Sequence, residues 1–373
     1  MAVILYMHIP FCRGRCRYCA FASGEYDADT ADAYLTALAQ EFDARASFLS
    51  PATVYIGGGT PTALDVRQLG HLADILMGVD LAECAEFTVE ANPGTLTMDK
   101  LLVLRRMGAT RLSLGAQSFC ENGLKTLGRR HSARQIAGAV AMAREAGFDN
   151  LSLDIIYGWP GQTPDELRAD LEAAARLRPE HISCYGLTVE PDTPLAELVR
   201  SGTFSMPDET VWRAMFDLAV AWLPDHGFEQ YEIANFARAG QECQHNRHYW
   251  LGTEYEGLGA AAFSCREGTR FSNERDTARY IERMHTDESA RAWEETLSGA
   301  DRARELALIG LRMREGVDGH QFHRKTGFRL EAVLGKTLAG LVEDGWLERL
   351  GSRLRLTRKA LPVADSVLSE LIP

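Results

Sequence analysis

Six short runs rich in β-branched, aromatic and leucine residues recur through the first half of the chain: VILYM (3–7), TVYIG (53–57), EFTVE (86–90), TRLSL (110–114), LSLDII (151–156) and ISCYGLT (182–188). Longer stretches with apolar residues at helical spacing separate them. Examples are ADAYLTALAQEFDARA (31–46) and SARQIAGAVAMAREAGF (132–148), the second reaching Gly147, a helix stop. Strand, helix, strand in repetition demands right-handed crossovers and therefore a parallel sheet. The six units fill about 190 residues, in keeping with ~30 residues per β-α unit, whereas a closed eight-stranded barrel takes about 250. The chain is α/β, with two architectures open: a partial barrel or an open doubly wound sheet. Either puts functional side chains at the C-terminal ends of strands.

The pattern changes twice. Residues 191–300 are less regular, with a helical pattern over 208–226 and Gly-rich turns around 252–259. From 301 a helical run, RARELALIGLRMREG, is followed by LEAVLGKTLAGLVEDG and then WLERL, Gly-Ser and RLRLT. A helix, then a hairpin, is a winged-helix pattern. The expected units are 1–190, 191–300 and 301–373. The last is locally basic, with thirteen Lys or Arg against eight Asp or Glu over 301–360, but the whole chain carries a formal charge of -12. Such a balance repels a phosphate backbone, so no nucleic-acid partner is expected. The opening MAVILYMHIPF lacks a basic leader, and no run approaches the ~20 apolar residues of a membrane helix. A cytoplasmic location is the default expectation.

Eight cysteines are too few for a disulfide-stapled chain of 373 residues. Three of them, Cys12, Cys16 and Cys19, stand together in CRGRCRYC. Thiols so close, beside Gly and Arg, make poor core and read as metal ligands. A structural zinc site would need a second Cys-x-x-Cys knuckle or helically spaced histidines. Cys243 with His245 and His248 comes nearest and lacks a second cysteine. A [4Fe–4S] cube held by three cysteines leaves one iron free for an exogenous ligand.

Cys-x3-Cys-x2-Cys with an aromatic before the last cysteine resembles the signature of radical S-adenosylmethionine (SAM) enzymes. The resemblance implies a partial (β/α)6 TIM-like barrel. It also implies a [4Fe–4S] cluster on Cys12, Cys16 and Cys19, with SAM chelating the fourth iron and yielding a 5′-deoxyadenosyl radical on reduction. GGGTPT (57–62), after the second strand, resembles the loop that binds the SAM amino group, with Thr60 where many relatives have glutamate. YMHIPFC, GGGTPT, EANP, GAQSF, LGRRH, DIIYGWPGQT and HNRHYW, in this order, are similar to the oxygen-independent coproporphyrinogen oxidase-like (HemN/HemW) family over nearly the whole chain. Carried over position by position, Tyr6, Gly58, Glu90 and Phe263 match the surroundings of the first SAM. Tyr18, Gly59, Thr60, Gln117, Arg129, Asp154 and Thr188 match positions that surround a second SAM in the oxidase. Glu90, Gln117 and Asp154 are read as the ends of strands three, four and five.

Within the family the haem-chaperone branch fits best. Phe21 replaces a fourth cysteine of the oxidase, and only eleven residues precede Cys12. Cys243, His245, Asn246, Tyr249 and Trp250 resemble a motif whose histidine is associated with haem, which makes His245 the expected haem ligand. Phe263 stands where many chaperone members have histidine, so this loop offers no second one. The resemblance implies a chaperone that delivers haem to respiratory haemoproteins, some of them in membranes, with cluster-linked homodimerisation and slow or regulatory SAM cleavage. Two other functions compete: radical chemistry on a tetrapyrrole, by decarboxylation, methyl transfer or cyclisation, and a redox-sensing regulator that uses the winged helix on DNA.

Overall fold

The computed structural model describes residues 3–286 and 288–372. All six expected strands form, as β1 (Val3–Ile9), β2 (Thr53–Gly58), β3 (Glu86–Ala91), β4 (Arg111–Gln117), β5 (Asn150–Tyr157) and β6 (His181–Gly186). They pair in parallel in that order. Helices Ala28–Arg45, Val66–Leu76, Met98–Arg106, Ala133–Glu145 and Pro164–Arg176 supply the crossovers. Three of these open on capping boxes: Asp65 with Gln68, Ser132 with Gln135, and Thr163 with Glu166.

Period-two alternation gives the sheet two unlike faces. Leu5, Met7, Val54, Ile56, Phe87, Val89, Leu112, Leu114, Leu153 and Ile155 point outward into one core shared with the helices. Their neighbours Tyr6, Tyr55, Thr88, Glu90, Arg111, Ser113, Ser152 and Asp154 occupy the other face. A doubly wound sheet buries both faces under helices; here the second face is polar and free of crossovers, which is the interior of a partial barrel.

The segment after residue 190 adds strands at both sides of this sheet: β7 (Glu229–Gln230), β8 (Asn235–Ala237), β9 (Glu254–Leu258), β10 (Phe263–Arg266), β11 (Thr269–Asn273) and β12 (Arg291–Thr296). The full order is β12-β11-β10-β9-β1-β2-β3-β4-β5-β6-β8-β7. β9 runs parallel to β1, and the remaining additions are antiparallel. The turns expected near 252–259 therefore enclose a strand, whose Gly257 sits where the backbone of Phe263 comes close. In the C-terminal part, β13 (Val317–Asp318), β14 (Leu347–Leu350) and β15 (Arg353–Leu356) form a separate sheet ordered β13-β15-β14 beside three short helices, a winged-helix-like module. The run read as one helix from Leu330 breaks at Gly335, which has a φ of 69°.

One buried carboxylate pins the antiparallel extension to the first crossover helix. Glu41, 1% exposed, accepts from Gly259 N (2.7 Å), Tyr280 Oη (2.7 Å) and Asn273 Nδ2 (2.7 Å), and pairs with Arg45, which also pairs with Glu256. Removing one member leaves several buried donors unsatisfied. Glu41→Ala is expected to destabilise the protein by about 3 kcal/mol in denaturant titration; a loss under about 1 kcal/mol would show that the cluster contributes little.

Candidate functional site

The mouth of the barrel is built around the cysteine loop. On one side, Gly59 N donates to Ile9 O (2.9 Å) and Thr60 N to Phe11 O (2.7 Å), zipping the glycine loop onto the chain that leads to Cys12. A Cβ on Gly59 would stand 2.8 Å from both carbonyl oxygens, so no larger residue fits there. Cys12 Sγ lies 3.6 Å from Thr60 Oγ1. Beyond Cys12, Tyr26 N returns to Cys12 O (2.8 Å).

On the other side the loop interlocks with Leu127–His131. Arg17 N donates to Leu127 O (3.1 Å), and Arg17 Nη1 to Lys125 O (2.9 Å), which terminates the helix Glu121–Leu127. Each loop offers a left-handed glycine to the other's arginine. Arg130 lies over Gly14 (φ 118°), where a Cβ would be 2.3 Å from its Cζ, and Arg17 lies over Gly128 (φ 74°). Between them Arg129 reaches Cys16 Sγ (3.2 Å) through Nη1 and Gly115 O (2.7 Å) through Nη2. Tyr18 lies near Arg129, whose charge opposes the rise in the tyrosine pKa that burial causes.

Behind the loops the barrel wall carries the remaining candidates. Glu90 accepts from Tyr55 Oη (2.8 Å) and Gly58 N (3.1 Å), and burial, followed by the nearby Asp154, pushes its pKa up to about 7. Tyr6 stacks on Tyr55, with centroids 6.2 Å apart, and its hydroxyl meets His8 Nδ1 (3.0 Å). Gln117 has a φ of 67°, and its Oε1 accepts from Tyr185 Oη (3.3 Å). Asp154 lies in the middle of β5, not at its end as expected, and accepts from Ser113 (3.1 Å) and Ser152 (3.4 Å). Burial raises its pKa. Phe263 is half exposed on β10, and Thr188 lies exposed beyond the end of β6. The structure thus gathers Tyr6, Tyr18, Gly58, Gly59, Thr60, Glu90, Gln117, Arg129 and Asp154 behind or beside the three cysteines, and leaves Thr188 and Phe263 toward the rim.

His245, the expected haem ligand, lies in the floor of the barrel, away from the cysteine loop. The helix Gln244–Trp250 plugs the N-terminal end of the barrel, where Glu86 accepts from Cys243 Sγ (3.2 Å), Gln244 N (3.0 Å) and His245 N (3.3 Å). The His245 ring is 1% exposed, with Nδ1 on Thr53 Oγ1 (2.8 Å) and Nε2 near Tyr249 Oη (3.3 Å). Burial, with the charges of His248 and Arg111, holds its pKa down to about 3. In this conformation both ring nitrogens are engaged, and the side chain closes the barrel floor. His248 turns away to Thr253 (3.0 Å), so the Cys243–His245–His248 group does not converge as a metal site.

Three functional residues escaped the sequence reading. Tyr55 holds Glu90, His8 braces Tyr6 and reaches Ala22 O (2.8 Å), and Arg111 is a fully buried cation under the site. The available signal was chemical: a tyrosine, a histidine and an arginine at inward positions of strands otherwise made of apolar residues.

The donor set fits an iron–sulfur cube. Cys12, Cys16 and Cys19 are free thiols and only partly buried. Among the described residues no three His, Cys, Asp or Glu side chains converge on a single-ion site; a cube instead takes each cysteine on a different iron. The guanidinium of Arg129 beside Cys16 matches thiolate charge, and Glu90 stands behind the glycine shelf, accepting from Gly58 N.

These features define the chain as a member of the radical SAM superfamily, whose sequence pattern it matches over residues 6–174, with the HemN C-terminal domain over 297–363. Within the superfamily it belongs to the HemW family. It is 35% identical to "Heme chaperone HemW" of Bacillus subtilis, covering 98% of both chains, and 36% identical to that of Mycobacterium tuberculosis, covering 99% of this chain and 94% of the relative. Its fold superposes on Escherichia coli coproporphyrinogen III oxidase (HemN) with a TM-score of 0.87 at 24% identity, over 99% of this chain and 90% of the other.

Glu90 gives a sign-definite pH test. Its folded pKa is raised from 4.5 to about 7, so its favourable contribution is present below pH 4.5, fades as pH rises, and is gone above about 7. Cofactor-free Glu90→Gln is therefore expected to gain about 3 kcal/mol on the wild type between pH 4.5 and pH 8. An equal difference at both pH values in denaturant titrations would remove the buried-carboxylate account.

Proposed function

We propose that the protein is a haem chaperone of the radical SAM type, which binds a [4Fe–4S] cluster, SAM and haem and passes haem to haemoproteins. The observation that carries this reading is likeness to HemW along nearly the full length of both chains. Cys12, Cys16 and Cys19 would hold the cluster. Gly58, Gly59, Thr60, Glu90 and Tyr6 would hold SAM, with Phe263 at its rim. The bound pair supplies reductive cleavage of a sulfonium. This chain's own part is positional: the glycine shelf fixes the chain beside Cys12, Glu90 would accept hydrogen bonds from SAM hydroxyls, and Arg129 places a positive charge beside Cys16. The division at residues 190 and 300, a cytoplasmic location and membrane-bound haem acceptors belong to the same proposal. Among the described residues no helix is long and apolar enough to cross a membrane.

Haem ligation by His245 requires the ring to give up Tyr249, the longer of its two contacts. A second reading, radical chemistry on a tetrapyrrole, is favoured by Tyr18, Gln117, Arg129 and Asp154, a set placed around the cysteine loop and barrel wall that the oxidase uses for a second SAM.

Two measurements test the proposal. Cys16→Ala should abolish the ~400 nm absorption of anaerobically reconstituted protein; retention of full absorbance and iron would overturn the ligand assignment. Titration of the reconstituted protein with haem should give a complex that survives a sizing column, and His245→Ala should bind haem at least ~10-fold more weakly. No retained haem, together with decarboxylation of coproporphyrinogen III, would replace the chaperone by the enzyme. Unchanged haem affinity with a lowered melting temperature would leave His245 as a floor residue only.

A further inference from the structure

The helix Met98–Arg106 carries a lysine where helices disfavour one. Lys100 stands in its first turn, at the end of the helix where acids are favoured and cations are not. The residue is 7% exposed, and its two hydrogen-bond acceptors are backbone carbonyls, Thr62 O (2.7 Å) and Thr95 O (3.1 Å). Burial, followed by the like charge of Arg13, pulls its pKa down to about 8 against the opposing effect of Asp65. A cation at the wrong end of a helix, out of water and near an arginine, destabilises the fold. Local conflicts of this kind gather at functional sites.

Lys100 joins the loop after β2 to the loop after β3. The ladder between these strands ends with Ile56 opposite Val89, one residue short of Glu90. Beyond it, polar contacts hold the two loops together. Thr62 Oγ1 meets Thr95 Oγ1 (2.6 Å) and accepts from Asn92 N (3.3 Å), and Lys100 spans the carbonyls of the same two threonines. One residue further, Arg13 Nη2 donates to Ala63 O (3.1 Å), which ties the turn Pro61–Ala63 to the residue after Cys12. The glycine shelf is thus fixed in front by Ile9 and Phe11 and behind by Lys100. On that shelf Gly58 N donates to Glu90 (3.1 Å), and Thr60 Oγ1 lies 3.6 Å from Cys12 Sγ.

We propose that Lys100 is a positioning residue for SAM: by bridging Thr62 O and Thr95 O it sets the spacing between Gly58–Thr60 and Glu90, the two sides of the site. The assignment rests on the SAM reading of these loops and is independent of the haem reading. Loops held in place before the ligand arrives lose less entropy on binding. A residue that destabilises the empty protein thereby strengthens its grip on the ligand.

Lys100→Met keeps most of the side chain's length and removes its donors. In the anaerobically reconstituted full chain it should weaken SAM binding about tenfold in equilibrium dialysis, since two loop carbonyls lose their shared donor. Iron content and the ~400 nm absorption should match the wild type. The melting temperature should hold, because relief of a buried charge offsets the unpaired carbonyls. Thr62→Val removes the hydroxyl tie, leaves the charge in place, and should weaken SAM binding in the same direction. Arg144→Ala is the structural control. It breaks the ion pair with Glu180 (2.8 Å) at the N-terminal end of β5, and should lower the melting temperature without moving SAM affinity. Wild-type affinity in Lys100→Met, or an equal loss of affinity in Arg144→Ala, overturns the proposal. Should Lys100→Met fail to fold, Thr62→Val decides it, and unchanged affinity there overturns it. A wild type that carries its full iron and binds no SAM would overturn the SAM reading itself, a result distinct from equal SAM binding by wild type and variants.

Discussion

Three thiols on one loop act as a unit only if the loop is held, and here it is held by the reciprocal packing of Gly14 under Arg130 and Gly128 under Arg17. Both glycines have positive φ, so each supplies a backbone shape and a flat surface, Gly14 for the guanidinium of Arg130 and Gly128 for the stem of Arg17. The arginines of CRGRCRYC are structural in this sense. Arg13 donates to Ala63 O (3.1 Å) and Arg17 to Lys125 O (2.9 Å), fastening the loop to the glycine shelf on one side and to a helix end on the other. Order is thereby built in before any metal arrives, which lowers the entropy lost when the ligands are fixed.

The sheet's two faces explain why a site can exist above a stable core. Helix packing uses the outward residues, so the inward ones are free to be polar. Arg111 shows the limit of that freedom. It is almost fully buried, with Nε unpartnered, and Glu86, Cys243, Tyr55 and Tyr231 surround it. The plug that carries the HNRHYW motif is tied to Glu86 by three hydrogen bonds, so floor and motif are joined beneath Arg111.

Much of this was legible in the sequence, and the losses have physical causes. The six strands and their order follow from spacing, because parallel strands buried on one face must be apolar at alternate positions. β9 to β12 were missed because their strength lies in pairing: GTEYEGLGAAAFSC has glycine where β10 crosses close to β9, and β12 is exposed on every residue. The cysteine cluster was legible from spacing and resemblance. The burial of His245 was not, since a sequence motif records which residues travel together and not whether a ring faces a ligand or a floor. Asp154 was misplaced by strand length alone: β5 continues three residues further, turning an expected rim acid into one held inside by serines.

The buried carboxylates themselves divide by how completely they are satisfied. Glu41 takes three hydrogen bonds and an ion pair. Glu86 takes two backbone N–H groups and a thiol. Asp170 takes Ser118 Oγ (2.8 Å), Phe119 N (2.6 Å) and Cys120 N (3.2 Å). Each of these joins two segments, and its acceptor capacity is largely used. Glu90 has one tyrosine and one N–H, with acceptor sites left over beside the glycine shelf. A carboxylate kept partly unsatisfied in a low-dielectric wall destabilises the empty protein, and a ligand bearing hydroxyl donors would relieve it. That imbalance, more than its position at a strand end, separates Glu90 from the structural acids.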